Sequence, residues 1–239
     1  MKQFVLCGLA VTLTLSPLLA FDDDNNNHGL QAIPSVFVGT APGCAPFPAG
    51  SNIVTSAWLA GLGLPDDGSS NVTPSNPPNQ DAHFGLLLSK NGATADCAAA
   101  QATINGATGT TLTATTEFGF DYRNGGHCGA GAPRFNITTD DNVTHFGGCA
   151  DGNPTPAPQD PAQWTRVRIT PVQFFPPLVA GTKIKSIGIV FDEGTDSPTA
   201  GDPSGIGLAV IDNIDVNGQF ITRGPGNNGE NDNNKNQNN

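Results

Sequence analysis

The strand-like run GLAVIDNIDVNGQF, residues 207–220, carries the most specific chemical signal in the chain. Alternate residues of a strand share a face, which places Asp212 beside Val210 and Ile214 and turns Asp215 to the opposite face. An ionised carboxylate on an apolar face needs a cation, a metal ion or hydrogen-bond donors. Asp212 is therefore predicted to face inward, where it is paired, ligated or hydrogen-bonded.

A pair of carboxylates is the second chemical signal, because glycoside cleavage uses two acids roughly 5 to 10 Å apart. In TEFGFDYR, Glu117 and Asp121 share one face and lie roughly 7 Å apart by strand rise. Two neighbouring acids in an acidic chain are more typical of a solvated outer face. The sequence also lacks a nucleophile elbow, a zinc-binding helix motif and a phosphate-binding glycine loop. We therefore expect no catalysis, and a hydrolase or lyase ranks last among the functions considered.

Aromatic and guanidinium groups on one strand face form a candidate ligand-binding surface. In QWTRVRIT, Trp164, Arg166 and Arg168 alternate with apolar residues, and Tyr122 is a further candidate aromatic. An exposed aromatic ring beside guanidinium groups can bind a sugar or a carboxylate. The alternative is that Trp164 packs at the edge of the sandwich while the arginines pair with surplus acids. The sequence leaves both interpretations open.

Cysteine usage indicates disulfides. Beyond residue 20 the cysteines are Cys44, Cys97, Cys128 and Cys149, and an even count in an exported chain implies two bonds. Three pairings are possible, and nearness across a probable hairpin favours Cys128–Cys149, which leaves Cys44–Cys97. The chain has no C-x-x-C spacing, which argues against a metal held by these cysteines.

The two ends of the chain differ in composition from its centre. Residues 1–20 have the layout of a secretory signal peptide, with a lysine, an apolar run and small residues before Ala20. Residues 21–29 read as a flexible acidic arm, and residues 224–239 as a disordered Asn-rich tail with nothing to bury. We therefore expect one folded domain over residues 30–223, secreted to the extracellular space or the periplasm.

Charge excludes one class of partner. The chain has 21 Asp and Glu against 10 Lys and Arg, a formal net charge of −11. Such a chain offers no basic patch for nucleic acid or for an anionic membrane. No later run approaches the length of a membrane-spanning helix, so we expect no membrane span.

The central region predicts an all-β fold. Short apolar or alternating runs bounded by Gly, Pro, Asn and Asp dominate it, and only residues 96–103 have helical propensity. The expected strands are 35–39, 53–59, 83–89, 101–105, 110–122, 133–139, 143–148, 164–170, 183–191 and 207–216. The proline-rich stretch 152–163 is predicted as a long surface loop. Strand spacing and turn residues favour an antiparallel β-sandwich of jelly-roll type.

The C-terminal part of this pattern resembles a known family. An apolar strand, an acidic loop and a closing strand, residues 183–218, are similar to the end of jelly-roll carbohydrate-binding modules and related galactose-binding-like domains. In those domains the closing strand reads apolar-Asp-Asp/Asn-apolar, which Ile211, Asp212, Asn213 and Ile214 match here. The resemblance implies a non-catalytic module that binds glycan or another extracellular polymer.

The same resemblance implies a structural calcium ion. The first Asp of the closing strand commonly ligates it, which gives Asp212 that role, with Asp192 and Asp196 as further ligands in the acidic loop. Calcium takes six to eight hard oxygens, backbone carbonyls included. The alternative is that Asp212 accepts backbone N–H bonds and holds no metal. For function, the alternative to polymer binding is a structural, matrix or cell-surface protein without glycan affinity.

Overall fold

The computed structural model describes residues 29–38, 53–64, 83–91, 98–193 and 207–222. The expected signal peptide, most of the acidic arm and the Asn-rich tail lie outside these ranges. So do Asp196 and the expected Cys44–Cys97 pair.

Twelve strands make up the described fold, and the helical elements are two short 3-10 turns at Cys149–Asp151 and Pro171–Gln173. The strands are β1 Gln31–Val38, β2 Ile53–Leu59, β3 Gly85–Asn91, β4 Ala98–Asn105, β5 Phe118–Arg123, β6 Arg134–Thr139, β7 Thr144–Gly148, β8 Asn153–Pro156, β9 Trp164–Ile169, β10 Ile184–Phe191, β11 Leu208–Val216 and β12 Gln219–Ile221.

The strands form two antiparallel sheets packed face to face, which confirms the predicted all-β sandwich. The five-stranded sheet has the order β1-β4-β10-β6-β7. The seven-stranded sheet has the order β2-β3-β11-β5-β9-β8, with β12 paired to β11. Because many connections carry the chain from one sheet to the other, several neighbouring pairs, such as β4 with β10 and β5 with β11, are distant in sequence.

The core lies between the sheets and takes alternate residues from most strands. Phe118 and Phe120 from β5 pack against Phe135 from β6 with ring centroids 5.8 Å apart in both pairs. The strand β4 contributes small residues, since Ala100 and Ala102 are fully or almost fully buried. Each inward side chain leaves its sequence neighbours on the outer face of its sheet.

Several segments differ from the sequence prediction, which also expected the first and third strands at 35–39 and 83–89 and did not include β12. Residues 98–103 of the helix-prone run belong to β4, in which the alternate residues Ala98, Ala100 and Ala102 are buried. The expected strand 110–122 begins only at Phe118, after a turn in which the Thr113 N–H donates to Thr116 Oγ1.

The proline-rich stretch 152–163, predicted as a loop, contains the edge strand β8. Its prolines, Pro154 and Pro156, alternate along the strand, and each lies opposite a residue of β9, Val167 and Thr165 respectively. Proline has no N–H to donate and is confined in sheets to edge strands, bulges and first positions. An edge position therefore accommodates both prolines.

Candidate functional site

A β-bulge in β11 decides which face carries the acids of the closing strand. Asp212 lies opposite Asp121 and Asp215 lies opposite Gly119, so three residue steps on β11 match two on β5. Asn213 is the inserted residue of the bulge, and its φ is 47°. The inserted residue reverses the alternation, as bulges do. Asp212 and Asp215 therefore share the outer face of the seven-stranded sheet.

This register corrects the predicted faces of β11. Asp212 is fully buried as expected, but it lies beneath residues 62–64 on the outer face, whereas Ile214 and Val216 belong to the core between the sheets. Asp215, predicted to be on the opposite side from Asp212, is buried as well. A strict two-residue period does not anticipate a bulge, because it places Ile211 and Ile214, which are three residues apart and both in the core, on opposite faces.

Backbone N–H groups hold Asp212. Its Oδ2 accepts from the Leu64 N–H at 2.7 Å and its Oδ1 accepts from the Asn213 N–H at 2.7 Å. The covering segment approaches so closely that a Cβ on Gly63 would collide with the Phe84 carbonyl oxygen. A glycine is therefore required there, and Asp212 fastens this segment to the sheet.

Arginine side chains neutralise the neighbouring acids. Arg166 donates through Nε and Nη2 to the two oxygens of buried Asp121, at 2.9 and 3.1 Å. The Asn213 Nδ2 also donates to Asp121 Oδ2 at 2.8 Å. Arg168 Nε lies 3.2 Å from Asp215 Oδ2 and 3.5 Å from Glu117 Oε1. Two guanidinium groups thus form ion pairs with Asp121, Asp215 and Glu117 on this face.

Burial shifts the pKa values of Arg168 and Asp215 in the directions that favour the neutral form of each group. It raises the pKa of Asp215 to about 6, while the Arg168 charge and the Gly218 N–H oppose the rise. Burial also lowers the pKa of Arg168, with the Asp215 charge acting in the opposite direction. Desolvation disfavours the charged form of each group, which explains both directions.

Of the candidate ligand-binding residues, Trp164, Arg166 and Arg168 lie on the predicted face of β9 and Tyr122 lies on β5, but they do not form an open surface. Trp164 is only 4% exposed and packs with Leu64, Ala157 and Val210, which corrects its expected exposure. Arg166 and Arg168 are occupied by the acids, and Tyr122 packs against the main core. The alternative interpretation, an edge-packed tryptophan with paired arginines, describes this arrangement.

The residues proposed for calcium occupy different settings. Asp192 follows β10 in the five-stranded sheet and accepts two bonds from Arg134, at 2.5 and 2.7 Å. Asp212 lies in β11 of the other sheet. Within the described ranges, no three side chains of His, Cys, Asp or Glu group closely enough to hold a metal ion.

The predicted disulfide between Cys128 and Cys149 is present, with Cα atoms 5.2 Å apart and a sequence separation of 21. It ties the segment before β6 to the 3-10 turn after β7. Nearby, His127 Nε2 lies 3.2 Å from Glu193 Oε2.

An open surface that the sequence did not indicate lies on the outer face of the five-stranded sheet. The register aligns two rows of outward residues across all five strands. One row is Ile33, Thr103, Gly188, Asn136 and Phe146, and the other is Ser35, Gln101, Val190, Arg134 and Gly148, of which Gly148 is buried beneath Ala130. With about 4.8 Å between strands, each row spans roughly 19 Å. We call this surface the five-strand face.

The first row of the five-strand face has Gly188 at its centre, polar residues on either side of it and the apolar Ile33 and Phe146 at its ends, whereas the second row has Val190 at its centre. A Cβ on Gly188 would lie 2.9 Å from the Ala102 carbonyl oxygen, so glycine suits that central position. Arg134 Nε donates to Asn136 Oδ1 at 2.9 Å, and its guanidinium lies 5.8 Å from the centre of the Phe146 ring. Because Asp192 neutralises Arg134, these two rows present hydrogen-bonding groups without net charge. Cross-strand pairing between strands distant in sequence creates the rows.

Comparison with protein-family models, with curated proteins and with solved structures finds no match to this chain. Across the described part of the chain, no helix is both long enough and apolar enough to cross a membrane.

Proposed function

We propose that this protein is a secreted, non-catalytic module that binds an extended glycan or another extracellular polymer through the five-strand face. The single observation that carries the proposal is the alignment of polar and apolar side chains in two rows across this open face. A linear polymer can contact a row of this length through several of its units at once. The signal-peptide layout of residues 1–20 supports the extracellular setting.

The contrast between the two outer faces supports this choice of surface. On the seven-stranded sheet, Trp164 is covered and Arg166 and Arg168 are bound to acids. On the five-strand face, Gln101 and Asn136 are half-buried and Thr103 is exposed. These amides and hydroxyls are groups of the kind that hydrogen-bond sugar hydroxyls, and Phe146 offers an exposed ring for stacking.

Non-catalytic binding also agrees with the state of the acids considered for hydrolysis. Both oxygens of Asp121 accept bonds from Arg166, and the carboxylate is fully buried. Glu117 is more exposed but lies beside Arg168. Glycoside cleavage needs one protonated and one free carboxyl group across a cleft, and an acid held in this way by a guanidinium group is unsuited to either role.

Binding of the full chain to soluble polysaccharides, with and without calcium, tests the proposal. We expect Phe146→Ala to weaken binding roughly five- to tenfold, as loss of one stacking ring does. Gln101→Ala should weaken it as well, whereas Gln219→Ala, an exposed glutamine on β12 of the other sheet, should leave it unchanged. Absence of binding to both neutral and acidic polysaccharides would favour the structural or matrix alternative. Equal losses for Gln101→Ala and Gln219→Ala would remove the five-strand face from the proposal.

A further inference from the structure

Strand β1 ends at a corner where the core is incomplete. Ala32, Pro34, Val36 and Val38 share the face that points toward the opposite sheet, and Ala32 is fully buried. Val36 and Val38, further along the same face, are 52% and 55% exposed. Inward positions of a sandwich are normally covered by the facing sheet. These two inward valines of β1 are therefore only about half covered.

The backbone of β1 also has an open edge. Among the strands that the structure describes, β1 has one neighbour, β4, and forms the end of the five-stranded sheet. The Ala32 carbonyl accepts from Trp58 Nε1 at 2.9 Å and Pro34 has no N–H, and from these two facts we infer that the even-numbered residues of β1 direct their backbone groups away from β4. By alternation, the N–H and C=O groups of Val36 and Val38 point to the same open side. Pro34 belongs to the same alternate set of residues, so its lack of an N–H removes no hydrogen bond to β4.

Strand β1 lacks the charges that usually protect an edge. Residues 31–38 include no Asp, Glu, Lys or Arg, although the chain carries a net charge of −11. Proteins commonly protect open edges with lysine, bulges or a covering loop. Here Pro34 protects only the first half, and Ser35, Val36, Phe37 and Val38 are all exposed.

We propose that two copies of this chain associate through antiparallel pairing of their β1 strands over residues 35–38. Only an extended strand satisfies alternating N–H and C=O groups along an open edge, which identifies the occupant as a strand. A second β1 is a suitable strand, because two molecules of the same negative charge approach most easily along an uncharged segment. Pairing about a two-fold axis also places the valines of one copy against those of the other.

The resulting assembly is a weak dimer with one continuous ten-stranded sheet. Four paired residues on each side form an interface below the size of standard stable complexes, so we expect a dissociation constant on the order of 10–100 µM. The five-strand faces of the two copies would then adjoin along β1. The dimer does not depend on polymer binding, and polymer binding does not depend on the dimer.

Sedimentation equilibrium of the full chain over a range of concentrations tests this inference. We expect reversible dimerisation of the wild type, and a loss of affinity of at least about tenfold for Val36→Lys, which adds like charge at the paired edge. The matched control is Val172→Lys, the same change at a valine that is 78% exposed and lies outside β1. It should dimerise like the wild type, and circular dichroism should show that both variants are folded.

Hydrogen exchange of the Val36 and Val38 amides provides a second measurement. Their protection should rise with protein concentration and fall in Val36→Lys. A wild type that stays monomeric at millimolar concentration overturns the inference. Concentration-independent protection of these amides also overturns it, because a segment of the same chain then covers the edge. Equal weakening by Val172→Lys would show that added charge, and not the β1 edge, is responsible.

Discussion

Asp121 and Asp212 lie directly opposite each other on the neighbouring strands β5 and β11, and neither residue is exposed to solvent. Repulsion between two adjacent buried carboxylates destabilises the fold unless each has its own hydrogen-bond donors. Asp121 receives Arg166 and the Asn213 side chain, while Asp212 receives two backbone N–H groups. This division of donors allows the pair to remain buried, and it locates the polar centre of the seven-stranded sheet.

The Asp212 carboxylate stabilises the fold by fastening residues 62–64. Replacement by alanine leaves the Leu64 and Asn213 N–H groups without their acceptor, so we expect Asp212→Ala to lower the free energy of unfolding by about 1–3 kcal/mol. Urea denaturation measures this change. Glu117→Gln, at a more exposed acid on the same face, should stay within about 0.5 kcal/mol. Equal effects of the two variants would contradict the role assigned to Asp212.

A calcium ion bound at Asp212 and hydrogen bonding of Asp212 without metal predict different effects of a chelator on stability. A bound ion stabilises only the folded protein, so chelation would lower the melting temperature of the wild type and spare Asp212→Ala. Because Asp212 already accepts two N–H bonds, we expect a chelator to leave the melting temperature unchanged. Differential scanning calorimetry with and without EDTA decides between them, and a drop confined to the wild type would establish the calcium site.

The raised pKa of Asp215 predicts a specific pH dependence. Burial raises this pKa from 3.8 to about 6, so the folded protein holds the proton more tightly than the unfolded chain. The contribution of Asp215 to stability is then largest at low pH and is lost as the pH rises from about 4 to about 6. Relative to Asp215→Asn, the wild type should lose unfolding free energy across that window and then stay level. Urea titrations at several pH values measure this, and parallel curves for the two proteins would contradict it.

The Cys128–Cys149 bond closes a segment whose ends are 21 residues apart in sequence. Restriction of the unfolded chain by a loop of that length stabilises the fold by about 3 kcal/mol. We expect replacement of both cysteines by alanine to lower the free energy of unfolding by that amount. Peptide mapping of the unreduced protein should recover Cys128 linked to Cys149, and linkage of Cys128 to another cysteine would exclude the bond.

Local patterns predicted most of the strands because burial follows alternation in this fold. The run at 164–170 places Val167 and Ile169 in the core and the arginines on the outer face, as its sequence indicates. Prediction failed where a local preference competed with the partner strand. The alanines of 96–103 favour helix in isolation, but their small side chains fill the inner face of β4 in a closely packed sandwich.

The sequence by itself indicated the fold class, favoured the Cys128–Cys149 pairing and required a partner for the Asp212 carboxylate, because each depends on residue types close together in the chain. Tertiary structure alone decided the rest of the polar chemistry. The bulge at Asn213 turns Asp215 to the side of Asp212, and residues 62–64 cover a face that the sequence presents as open. The rows of the five-strand face combine strands far apart in the chain. Alternation within one strand specifies two faces, but only packing against other strands and loops specifies which face meets water.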